Sequence, residues 1–142
     1  MHGDATLVVP VAAGEAIWIA VEPRREGDRY EASFDFELRA AGREGCPDIV
    51  TLRVRVPPAQ NIDGIALPGG TTEPIVRSSK VEGRSCCSSI RLSLGAVGGE
   101  AGAASAAVTI KLASREDFAA LTGRDPGPPL DTEAGYRGTL LP

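Results

Sequence analysis

Two adjacent cysteines, Cys86 and Cys87 in the stretch GRSCCSSI, are the residues of this 142-residue chain whose type and spacing come nearest to a chemistry. A thiol reacts as its thiolate, and Arg84 and Lys80 are the nearby cations that could lower a thiol pKa. The enzymatic reading is therefore a thiol-dependent or redox site. The partners such a site draws on are scarce. His2 is the only histidine, so a Ser-His-Asp triad, a Cys-His dyad or a multi-histidine metal site would all have to be built on that one residue beside the terminus. Zinc bound through sulfur is disfavoured as well. Cys46, Cys86 and Cys87 contain no CxxC pair, and adjacent cysteines span a tetrahedron poorly. A disulfide between neighbours would close a strained eight-membered ring, which a regular strand does not provide.

Other constellations fail on spacing. GAVGGEAGAAS has neither the GxGxxG nor the GxxxxGK pattern, and it joins two apparent strands instead of opening a helix that could receive a phosphate. GGTTEP, residues 69 to 74, ends in an acid and a proline. Asp28, Asp48, Asp63, Asp125 and Asp131 fall near turns, but no DxDxDG spacing marks a calcium loop. Trp18 and Tyr30 could stack on a sugar, yet both lie in amphipathic segments that favour core packing. The expectation is no metal, no cofactor and no catalytic residue, with Cys87 as the one candidate reactive thiol.

The elements that hold these residues are read from periodicity. In RYEASFDFELRA, Tyr30, Ala32, Phe34, Phe36, Leu38 and Ala40 alternate with polar residues, the signature of a half-buried strand. After a Gly and Pro turn, DIVTLRVRV repeats the alternation with Val50, Leu52, Val54 and Val56, which predicts a hairpin. Placing Leu38 opposite Val50 sets Phe36 against Leu52, Phe34 against Val54 and Asp35 against Arg53. SSIRLSL and SAAVTIKLA predict a second hairpin, with Leu94 opposite Ala106, Leu92 opposite Val108 and Ile90 opposite Ile110. Extending that strand backwards turns Cys86 inward and Cys87 outward. TLVVPV and EAIWIAVE predict two more strands, the first at an edge because Pro10 lacks a donor. Ile62 to Leu67 and Pro74 to Ser78 are shorter candidates. SREDFAALTG predicts a two-turn helix capped by Ser114 and stopped by Gly123, with Phe118 and Leu121 on one face.

Seven or eight short strands and one short helix near the C-terminus predict an all-β fold, an antiparallel β-sandwich of immunoglobulin-like or jelly-roll connectivity, over residues 1–123. Residues 124–142 are rich in Pro and Gly without periodicity and read as an arm or linker.

Composition narrows the partners. A net charge of -4 and 4% aromatics argue against nucleic acid, and no apolar run approaches the ~20 residues of a membrane span. Arg outnumbers Lys 13 to 2 beside high Ala and Gly, which fits a coding bias and a bacterial source. Three cysteines cannot all pair within one chain, and the N-terminus does not read as a secretory signal, so the expected compartment is the cytoplasm.

Two irregular segments carry apolar residues that must dock on something. Residues 57–74 contain Ile62, Ile65 and Leu67, and the arm contains Tyr136, Leu140 and Leu141. The bland alternative for the first is burial in the domain's own core. The functional expectation is a non-catalytic binding or assembly module that meets a protein partner or its own copies through these residues. The alternatives are a thiol enzyme or redox site at Cys87 and a sandwich that binds a small molecule or sugar.

Overall fold

The computed structural model describes residues 4–39, 48–67, 70–78, 86–97 and 106–127. Its strands are β1 (Asp4–Pro10), β2 (Ala16–Ile17), β3 (Ile19–Val21), β4 (Tyr30–Arg39), β5 (Ile49–Val56), β6 (Gln60–Ile62), β7 (Ile65–Ala66), β8 (Thr72–Glu73), β9 (Ile75–Val76), β10 (Cys86–Gly95) and β11 (Ala106–Ala113), followed by one helix, α1 (Arg115–Thr122). The chain is mostly β, as its periodicity predicts.

Five strands form one sheet in the order β1-β11-β10-β4-β5. The alternating segments fill its centre because each supplies one continuous apolar row. Ile110, Ile90, Phe36 and Val50 lie side by side across four strands, and Val108, Leu92, Phe34 and Leu52 form the next row. Phe34 and Phe36 are fully buried and stack at a centroid distance of 6.2 Å. The second hairpin has the predicted register throughout. In the first hairpin the register differs by two residues, so Phe36 faces Val50 and Asp35 faces Thr51. A shift of two keeps every apolar side chain on its face, and period 2 alone cannot distinguish the two pairings. Thr51 Oγ1 donates to Asp35 at 2.7 Å, and Arg55, not Arg53, forms the ion pair, with Glu31.

The sheet is mixed, which corrects the expectation of purely antiparallel strands. β1 runs parallel to β11 at the edge. Pro10 is its last residue, where the missing N–H falls outside the ladder, and Val11 resumes pairing by donating to Ala113 O at 2.8 Å. The predicted strand EAIWIAVE is broken at Trp18. β2 pairs with β9 and β3 with β6, while β7 pairs with β8, giving three two-stranded ladders.

One cluster of buried side chains joins the ladders to the sheet. Ile19, Val21, Ile62, Ile65, Leu67 and Ile75 from the ladder region pack in the same core as Phe34, Phe36, Ile90 and Ile110. The corner at Gly64 is tight enough to need glycine, since a Cβ there would lie 2.7 Å from Thr72 Cγ2 and 3.0 Å from the Glu73 carbonyl oxygen. The helix has the predicted caps: Ser114 accepts from the Asp117 N–H, and Gly123 adopts φ 68° and donates to Ala119 O. It lies against β1 and β11. The predicted apolar face is not buried. Leu121 is exposed and no residue of α1 is fully buried.

Candidate functional site

The cysteine pair is inverted relative to expectation. Cys87 faces the core and is 1% exposed, whereas Cys86 is half-buried. The cause is a bulge in β10. Cys87 pairs with Leu38 and Ser89 with Glu37, so Ser88 is an extra residue and the alternation reverses across it. Cys87 therefore shares the face of Leu38, and its thiol donates to Ser89 O at 3.4 Å. Burial pushes the Cys87 thiol up to about 12, with a smaller push from Glu37, opposed by the Ser89 hydrogen bond and Arg39. A thiol that stays protonated at neutral pH and is closed to solvent is no nucleophile. Cys87 is a small core residue, correcting the exposed-thiol expectation. Cys46, Arg84, Lys80 and His2 lie outside the described residues.

The central segment is also corrected. Ile62 is 4%, Ile65 4% and Leu67 7% exposed, because the short ladders turn these side chains into the domain's own core. They are not available to a partner while the domain is folded. Tyr136, Leu140 and Leu141 lie outside the described residues. Among the described residues no group of His, Cys, Asp or Glu is arranged to hold a metal, and no helix is long and apolar enough to cross a membrane. A depression of about 310 Å³ opens beside the end of β5, lined by Arg29, Arg55, Val56, Pro57 and Val97.

What the sequence reading missed is the far side of β5. This eight-residue strand ends the sheet, and no described strand pairs with its outer side. The Leu38 N–H donates to Asp48 O at 2.7 Å, which marks that pair as hydrogen-bonded. Bonded and non-bonded pairs alternate in an antiparallel ladder, so Val50, Leu52 and Val54 direct their backbone groups to β4. Ile49, Thr51, Arg53 and Arg55 direct theirs away from it. Arg55 O is met there by the Gln60 side chain at 3.4 Å. Val50, Leu52 and Val54 are only partly buried, so the edge is apolar on one face. On the other face stand Thr51, Arg53 and Arg55, all exposed. No family model, curated protein or solved structure matches the chain. Its function has to be argued from this geometry. Charged residues alternating along an edge strand carry a recognisable signal, since they discourage indiscriminate edge pairing, but the sequence does not show which strand is the edge.

Proposed function

We propose that this chain is a non-catalytic binding or assembly module that contacts another protein chain or its own copies. Its interaction surface in this reading is the outer edge of β5 together with the C-terminal arm of Tyr136, Leu140 and Leu141. The observation that carries it is the run of outward backbone groups at Ile49, Thr51 and Arg53 beside half-exposed valines and leucine. Such an edge supplies main-chain hydrogen bonds for affinity and alternate side chains for specificity. The ladders form the second layer of an irregular β-sandwich in the same proposal, since their side chains and the sheet's inner face share one core. A reducing cytoplasm and a bacterial source fit the free thiols of Cys86 and Cys87 and the arginine-rich composition. The thiol-enzyme alternative loses its support with the burial of Cys87. The small-molecule alternative rests on the depression beside Arg29 and Arg55.

Proline scanning tests the edge directly, because proline removes one N–H. At Thr51 that N–H points outward, so Thr51→Pro is expected to leave the thermal midpoint within a few degrees while reducing the assembly size in solution. At Leu52 the N–H serves β4, and Leu52→Pro is expected to destabilise the fold by about 1–3 kcal/mol. Sedimentation and thermal unfolding of both full-length variants provide the readout. A Thr51→Pro chain that assembles as the parent does would remove the edge from the function.

A further inference from the structure

The occupant of the β5 edge can be named more closely. Arg53 and Arg55 stand two residues apart on one face, and both are exposed. Arg55 is already paired with Glu31 at 3.3 Å, with 71% of its side-chain surface still open. Arg53 has no ion pair among the described residues. Two copies of β5 pairing with one another would bring four guanidinium groups onto one face, which opposes that arrangement. The edge calls for a strand with two acids at i and i+2. The chain contains one beyond Gly127, in LDTEAGY, where Asp131 and Glu133 have that spacing and Leu130, Thr132, Ala134 and Tyr136 occupy the alternate positions.

We propose that the segment around Asp131 and Glu133 of a second copy adds to the open edge of β5 as an antiparallel strand. The proposal rests on the binding-module reading and specifies its partner. With Asp131 opposite Arg55 and Glu133 opposite Arg53, Thr132 meets Val54, Ala134 meets Leu52 and Tyr136 meets Val50. Charge matches on one face and apolar character on the other.

Reach selects a second copy over the chain's own arm. Arg115 donates a hydrogen bond to Gly127 O, so the chain at Gly127 has returned to the start of α1, just past the end of β11. An added strand beyond β5 would be four strand spacings from β11, roughly 19 Å. Arg55, which Asp131 would face, lies one row beyond the row of Val54, Leu94 and Ala106, and so eight positions from Ala113, a further displacement of roughly 26 Å along the strands. The four residue steps from Gly127 to Asp131 span about 14 Å at most. The diagonal of roughly 32 Å exceeds that even with the length of the Arg115 side chain added. An arm from a neighbouring molecule has no such limit.

Charge reversal in the full chain, read by sedimentation over a range of concentrations, tests the exchange. The parent chain is expected to self-associate. Arg53→Glu with Arg55→Glu, and separately Asp131→Arg with Glu133→Arg, are each expected to weaken association at least about tenfold. Mixing the two variants in equal amounts is expected to restore it, because each arm then finds an edge of opposite charge. Far-ultraviolet circular dichroism confirms that the variants fold. Association that ignores both reversals but is lost in Thr51→Pro would overturn the arm's role and leave the edge reading standing. A parent chain that is monomeric at every concentration would overturn the exchange and leave a foreign strand as the occupant. Association that survives Thr51→Pro as well would overturn both.

Discussion

At one edge of the five-stranded sheet β1 ends in Pro10 and has α1 against it, whereas at the other β5 presents outward backbone groups to no described strand. Both edges flank the same centre, so the contrast lies in how each is finished. β1 pairs parallel with β11, and Ala113 at the end of that pairing is 3% exposed although it belongs to no part of the main core cluster. β5 pairs antiparallel with β4 and has Arg53 and Arg55 along its outer face. Covering an edge and charging it are two general solutions to the hazard of unpaired strand edges. In the proposed reading a covered β1 edge excludes a partner, while the charged β5 edge selects a strand of matching charge.

Changes at the centre should erase the contrast, because both edges depend on it. Phe36 is 1% exposed and lies between Ile90 and Val50. Phe36→Ala is expected to cost about 3–5 kcal/mol, comparable with much of a small domain's stability. Hydrogen exchange should then accelerate in β1 and β5 together. Protection kept at one edge alone would show that the edges are separate folding units.

The centre is also where the sequence was most legible. The apolar alternation of β4, β5, β10 and β11 assigns the inward rows through Phe34, Phe36, Ile90, Ile110 and Leu112, and the second hairpin's register follows from it. Placing Leu38 opposite Val50 sets Asp35 against Arg53, and that charge match agrees with a register two residues from the real one, in which the Thr51 hydroxyl meets Asp35. Cys87 was misplaced by a single inserted residue, because a bulge leaves no mark on periodicity until the partner strand is known. Ile62, Ile65 and Leu67 sit in strands of two or three residues and the loops beside them, too short for any alternation to show. The open edge was hidden for a different reason: strand order is a long-range property, and RVRV reads alike at an edge or in the middle.

Cys87 gives a second way to act on the centre, by pH. Its folded-state pKa is raised from an ordinary value near 9 to about 12, chiefly by burial. Above pH 9 the unfolded chain releases this proton while the folded chain keeps it, so the unfolded state binds fewer protons and stability falls as pH rises. The contribution is fully present below pH 9 and is lost between 9 and about 12, at up to ~1.4 kcal/mol per pH unit. Chemical denaturation of the parent chain across that window should show the decline, with both edges losing protection in parallel. A flat profile through the window would mean that the thiol is open to water, and the thiol-site alternative would regain its footing.

The smallest expected effect is confined to one edge. No residue of α1 is fully buried, and its caps satisfy backbone groups at both of its ends. The Ser114 side chain accepts from the Asp117 N–H at 3.1 Å, and its carbonyl accepts from the Phe118 N–H at 2.8 Å. Only the first is lost in Ser114→Ala, at about 1 kcal/mol. If α1 is what closes the β1 edge, exchange should rise in α1 and β1 and remain unchanged in β5. A uniform rise in both edge strands would mean that the helix stabilises the domain as a whole and that β1 is closed by its parallel pairing with β11 alone. The mutation therefore distinguishes a lid on one edge from a buttress for the entire sheet, although it changes only one hydrogen bond.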